Sequence, residues 1–243
     1  MNFIKKHLKL LIFILICITI FLIFKANNHH NINYTVLGDS FALGKNAYGQ
    51  IDYGYSDYVK DYLTENNKIN KYIKSFATKD TSINSLYQDI MINKNIKINN
   101  KIYNLKQTLR ESNILTISIG INDLIYQISI SENITSTEIE RILKKIEVDF
   151  NKLIKEIKKY YMNDIYVIGY YNIYPDNKIY QTAIQKLNNI YKSNKNVIYI
   201  DIYDLFNDNP IYFPKIINYY PTREGYEAIS LEIIRKMRKK LEK

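Results

Sequence analysis

Tyr34-Thr35-Val36-Leu37-Gly38-Asp39-Ser40 opens with four residues suited to a buried strand, stops at a glycine and then presents two polar side chains. The device recurs. Ile114 to Ile119 (ILTISI) runs into Gly120 and then Ile121-Asn122-Asp123, Ile165 to Ile168 (IYVI) runs into Gly169, and Val197 to Ile200 ends at Asp201. A weaker apolar run covers Tyr72 to Phe76. Helical spacing fills the intervals, most clearly from Ser136 to Tyr160, where Ile139, Ile142, Leu143, Ile146, Phe150, Leu153, Ile154 and Ile157 recur at three- and four-residue steps. Thr135 and Glu138 stand at capping-box spacing before it. Shorter helices are predicted over Ser56 to Asn66, Ser82 to Asn93, Tyr180 to Ser193 and Thr222 to Leu241. The alternation predicts an α/β domain, a three-layer, doubly wound parallel sheet of about five strands with right-handed connections. In such a sheet ligand chemistry sits beyond the carboxyl ends of the strands, where Ser40 and Asn122 fall.

Upstream of this domain the chain changes character. Leu10 to Phe24 is an unbroken apolar run, with Lys5, Lys6 and Lys9 before it and Lys25 after it. Its length lies between a signal-peptide core and a short membrane span. No small residues stand three and one before a cleavage point after it, so an uncleaved transmembrane anchor is expected. Basic residues concentrate on the amino-terminal flank, which keeps that flank inside and the rest of the chain outside the cytoplasm. The expected organisation is a cytoplasmic tail and anchor over 1–25, a polar linker over 26–33 and the α/β domain over 34–243. Cys17, the only cysteine in the chain, lies within the apolar run after Ile16, a context that does not match a lipoprotein signal and leaves no disulfide framework.

Of the formal net charge of +10, the lysines flanking the apolar run account for four, leaving a modest excess on the domain. No basic cluster interleaved with exposed aromatics argues for nucleic acid. Neither a cofactor nor a metal is expected, because no His/Asp/Glu cluster has ligand spacing. The expected partners are the membrane, through the N-terminal helix, and a cell-envelope glycan, lipid or protein. Tyrosine-rich stretches at 170–174 and 212–220 offer rings for a sugar or protein, although core packing is the plainer account of them.

A serine on a strand-end turn presents a hydroxyl for attack on an acyl carbon, and a nearby asparagine amide stabilises the resulting oxyanion. Taken together, the Gly38-Asp39-Ser40 block, the Gly120-Ile121-Asn122-Asp123 block and Tyr220-Pro221-Thr222 through Tyr226 before the last helix resemble the SGNH (GDSL-type) hydrolases, particularly membrane-tethered members from Gram-positive bacteria. The resemblance spans the domain and implies a flavodoxin-like SGNH fold of ester-hydrolase ancestry. It implies that Ser40 occupies the nucleophile position and Asn122 an oxyanion position, with Asp39, Gly120 and Asp123 structural.

The departures are chemical. The family's late Asp-x-x-His-Pro falls on Ile217-Asn218-Tyr219-Tyr220-Pro221, so Ile217 replaces the aspartate and Tyr220 the histidine. In the second block, Phe76 to Thr81, Asp80 falls where the resemblance expects an oxyanion-hole glycine. With an ordinary pKa near 10, roughly one tyrosine in a thousand is phenolate at neutral pH, and isoleucine neither orients nor charge-balances a base. His7, His29 and His30 are the only histidines in the chain, and the strand places His30 ~20–30 Å from Ser40. Asp80, Asp204, Asp208 and Glu224 are the carboxylates near the relevant loops. Two functions are therefore expected: a catalytically impaired binding or regulatory protein, or an active serine esterase for small acyl esters of envelope glycans or lipids with a non-standard base.

Overall fold

The computed structural model describes residues 14–19, 32–131, 134–174, 176–207, 209–214 and 218–241. Residues 14–19 are helical, and among the described residues no helix is long and apolar enough to cross a membrane. The rest of the apolar run, the linker up to residue 31 and all three histidines lie outside the described residues.

From residue 32 onward the chain builds the expected sheet. Its strands are β1 (Ile32–Gly38), β2 (Ile69–Ile73), β5 (Ile114–Ser118), β6 (Ile165–Ile168) and β7 (Val197–Ile200), all parallel and in the order β2-β1-β5-β6-β7. Between β2 and β5 lies a separate antiparallel hairpin, β3 (Asn95–Ile98) and β4 (Lys101–Asn104). Asn99 and Asn100 both take positive φ at its tip, a conformation that asparagine tolerates and that matches strand twist in a two-residue turn.

The helices fall into two packed groups. On one side α2 (Tyr55–Glu65) meets α8 (Arg223–Leu241); on the other α3 (Ile83–Met91), α5 (Ile121–Ser129) and α7 (Lys178–Ser193) pack on α6 (Ser136–Ile157). Right-handed crossovers require this, since the chain moves one way from β1 to β2 and the other way from β5 to β7. The apolar stripe of α6 is buried as its spacing predicts, and the Thr135 hydroxyl accepts from the Glu138 N–H at 3.2 Å.

Three local expectations are corrected. The weak strand sits at Ile69–Ile73, not at 72–76, because the turn before Phe76 begins once pairing with β1 ends at Ile73. The long helix stops at Ile157, three residues early. The hairpin and the short helices α1 (Ser40–Leu43) and α4 (Leu105–Glu111) are additional elements, too short for periodicity to announce.

Candidate active site

β1 and β5 are neighbours with Gly38 opposite Ser118, so the polar residues that follow them emerge side by side where strand order reverses. Gly38 adopts φ +127°, and a Cβ there would overlap the Ser118 carbonyl, so the turn admits only glycine. The next residue, Asp39, caps α1 by accepting from the Phe41 N–H at 3.0 Å. Its carboxylate also accepts from the Ser118 hydroxyl and from the Tyr170 phenol, each at 3.2 Å. Burial pushes its pKa up from 3.8 to about 7 against those stabilising bonds. Asp39 is a buried cap and brace, the structural role expected of it.

Ser40 opens α1 and is 3% exposed. Its hydroxyl donates to the carbonyl of Lys79 at 2.5 Å. The segment from Thr78 to Thr81 is fixed to both strand-end blocks: Thr78 N–H donates to the Gly38 carbonyl at 3.0 Å, and the Asn122 amide donates to the Thr81 carbonyl at 3.3 Å. An oxyanion hole requires donors aimed at the space beside the nucleophile. Here the Lys79 carbonyl, an acceptor, points at Ser40. Among the described residues no peptide is cis, and in a trans peptide the N–H points opposite to the carbonyl; the Asp80 N–H, in the same peptide plane, is therefore directed away from Ser40. The Asp80 side chain is exposed and lines a groove on the far side of Asn122. Where the resemblance expects the oxyanion-hole glycine, the Lys79–Asp80 peptide thus presents its carbonyl to Ser40.

Asn122 follows Gly120, which has φ +107° and no room for a Cβ beside the Tyr191 hydroxyl. The asparagine is half-buried between a small cavity beside Asp39 and a larger groove, its amide committed to Thr81. Asp123 accepts from the Ile83 N–H at 3.1 Å, tying α5 to the start of α3, and burial pushes it up to about 6.

Tyr220 is 6% exposed and stands against Ser40 from the opposite wall. Its backbone is held firmly: Tyr220 N–H donates to Asn218 Oδ1 at 2.8 Å, Asn218 Nδ2 donates to the Ala47 carbonyl at 3.0 Å, and Ala47 N–H donates to the Pro221 carbonyl at 3.0 Å. Burial raises its pKa above the usual tyrosine value, outweighing the opposing effects of the Ser40 and Tyr219 hydroxyls. Lys45 Nζ lies 4.9 Å from the ring centroid. Ile217 and Asp208 lie outside the described residues. Asp204 caps its neighbour Asn207 at 2.9 Å, Glu224 is exposed on α8, and neither lines the crevice or the groove.

Two spaces flank Asn122. The one beside Asp39, walled by Phe41, Ile121, Tyr170, Tyr219 and Tyr220, encloses about 10 Å³, room for about one water. The groove beyond, lined by Asp80, Tyr126, Gln127, Lys145 and Asp149, measures about 600 Å³. Tyr170 and Tyr171 are buried and Tyr174, Tyr212 and Tyr219 are half-buried, so the tyrosine-rich stretches form walls and core instead of an exposed ring platform. Tyr170 and the Lys79 carbonyl were not predicted. Tyr170 carried a signal, since it follows Gly169 at a strand end; the direction of a carbonyl carries none.

The model of the GDSL-like lipase/acylhydrolase family matches residues 34–233. Among curated proteins no sequence matches. Solved structures do. The lipase Lip_vut3 from a goat rumen metagenome is similar with TM-score 0.69 and 18% identity, over 84% of this chain and 97% of that one. A variant of Axe2, an acetyl xylan esterase from Geobacillus stearothermophilus, is similar with TM-score 0.57 and 15% identity, over 86% and 96%. The esterase EstA from Pseudoalteromonas sp. gives 0.56 and 13% over 88% and 100%. At these identities the likeness is one of fold.

Proposed function

Since the chain belongs to the GDSL-like lipase/acylhydrolase family, we propose that it is a membrane-anchored, extracytoplasmic member in which ester hydrolysis is impaired and which works as a binding or regulatory protein. The observation that carries the proposal is the pairing at Ser40: its proton goes to a carbonyl, and Tyr220, with its pKa raised by burial, stands in the place of a base. A neutral phenol does not accept the serine proton at pH 7. Loss of the base from a serine triad has cost on the order of a millionfold where it was dissected. The anchoring part rests on the apolar run Leu10 to Phe24 and its lysine flanks.

The groove beside Asn122 supports binding. Its size lies in the range of small-ligand sites. Exposed Tyr126 supplies a ring, and Gln127, Ser82 and Asn122 supply hydroxyl and amide groups. Asp80, Asp123 and Asp149 face a single cation of the lining, Lys145, which is bonded to Asp149 at 2.5 Å. That balance disfavours anionic polymers and favours a neutral, hydroxyl-rich ligand such as an envelope glycan.

One observation favours an active esterase instead. Lys45 over the Tyr220 ring stabilises a phenolate, and a phenolate beside Ser40 would serve as the non-standard base. Burial acts in the opposite direction and prevails. The deciding experiment is labelling of the protein by a serine-reactive fluorophosphonate, with turnover of a short acyl ester, against Ser40→Ala. Absence of both in folded protein supports impairment. Labelling and turnover that vanish in Ser40→Ala and in Tyr220→Phe overturn it.

A further inference from the structure

We infer that the end of the domain opposite Ser40 is a docking face for an anionic lipid surface. β1 begins there at Ile32, and Asn33 is tied to the Glu111 carbonyl at 2.7 Å and to Asn113 at 2.8 Å. The length of β1 puts this end ~20 Å from Ser40.

Two tyrosine rings at this end each seat two cations. Lys71 and Lys101 lie 5.8 and 5.5 Å from the Tyr103 ring, and Lys106 and Arg110 lie 5.3 and 5.1 Å from the Tyr160 ring. Glu111 is taken by Lys71 at 2.8 Å. Lys97, Lys101, Lys106 and Arg110 form no ion pair among the described residues. The hairpin adds apolar groups to the same place. On its outward face Lys97 is paired across the strands with Ile102, which is 68% exposed, while Ile96, Ile98 and Tyr103 turn toward the core. Ile92, 71% exposed, leads into the hairpin, and Lys106 Nζ donates to the adjacent Met91 carbonyl at 3.2 Å.

Clustered cations with exposed isoleucines and half-buried tyrosines form the pattern of a surface that rests in a bilayer interface, where lysines meet anionic headgroups and aliphatic side chains reach the acyl boundary. A soluble anionic polymer would satisfy the charge and leave Ile92 and Ile102 in water. Chain length agrees with a bilayer. Residues 25–31, between the apolar run and β1, span at most about 25 Å, so a domain tethered by that run is held close to the membrane. Docked by this end, the domain turns Ser40 and the groove toward the envelope and away from its own bilayer. The tether-length argument rests on the anchoring proposed above, whereas the docking face itself goes beyond it and is tested without the apolar run, so that either reading can fail alone.

The test is co-sedimentation of residues 32–243, which hold the whole described core and all seven described strands, with phosphatidylglycerol-containing vesicles and with pure phosphatidylcholine vesicles. At least tenfold tighter, salt-sensitive binding to the anionic vesicles is expected. Lys97→Glu with Lys101→Glu and Arg110→Glu, all at exposed positions, weakens it by about a hundredfold, and Ile102→Asn alone weakens it severalfold. Equal binding to both vesicles, or unchanged binding by the triple variant, overturns the inference. Competition by polyphosphate as strong as that of the lipid, with Ile102→Asn without effect, also overturns it and assigns the face to a polymer.

Discussion

The Ser40 hydroxyl donates to the Lys79 carbonyl at 2.5 Å, across 39 residues of chain. That bond fixes the direction of the Lys79–Asp80 peptide and turns its N–H away from the space in which an oxyanion would form. Two features at the nucleophile position, a tyrosine where a base is expected and an acceptor where a donor is required, support the proposed impairment.

Restoring the base tests the first defect. Tyr220→His combined with Ile217→Asp is expected to raise short-ester turnover by roughly a hundredfold or more over the wild type, and adding Asp80→Gly, which frees the peptide to turn, by about another hundredfold. Steady-state kinetics on all three backgrounds check this. No gain from the histidine would locate the main defect in the peptide.

Asp39 makes stability depend on pH. Its pKa is raised from 3.8 to about 7, chiefly by burial, so between about pH 4 and pH 7 the folded state holds a proton that the unfolded state has released. The fold therefore loses stability as pH rises through that window, by roughly 4 kcal/mol for this group, and changes no further above it. Asp39→Asn removes this dependence and keeps an oxygen for the Phe41 N–H. Urea midpoints of variant and wild type are expected to diverge from about pH 4 to pH 8 in the variant's favour; a constant difference would refute the buried-carboxyl account. Asp123, raised to about 6, contributes a smaller slope of the same sign.

Gly38→Ala is expected to destabilise the domain by roughly 3 kcal/mol or more, since it combines a strained φ with overlap on the Ser118 carbonyl, which is backbone and cannot move aside. Thermal unfolding reads the loss. A shift within about 0.5 kcal/mol of wild type would mean that the turn rearranges.

The groove predicts its own selectivity. Tyr126→Ala is expected to weaken binding of a neutral oligosaccharide about tenfold, while an anionic polymer binds no better to the wild type than to the variant. Calorimetric titration of both ligands tests it, and preferential binding of the anionic polymer would exclude the groove as a glycan site.

Much of this was legible in the chain. Each strand-glycine-polar block is a local signal, because a run of apolar residues, a breaker and a polar pair act within ten residues of one another. Four of the five sheet strands and the long helix followed from them, and with them the placing of Ser40 and Asn122 beyond neighbouring strand ends. A tyrosine, Tyr220, at the position where the resemblance expects a histidine is likewise a matter of residue identity alone. The hairpin that carries Lys97 and Ile102 was missed, since two four-residue strands of alternating lysine and isoleucine look like any other polar stretch.

What the sequence determined by itself was which groups are present: a serine, an asparagine, no histidine in the domain and a charged entry end. What only the tertiary structure decided was where those groups point. The Lys79 carbonyl faces Ser40, Tyr219 and Tyr220 wall a cavity of about 10 Å³ beside Asp39, and burial raises the Asp39 carboxyl to about 7. Direction and desolvation are set by segments tens to hundreds of residues apart meeting in one place, and no local pattern encodes them.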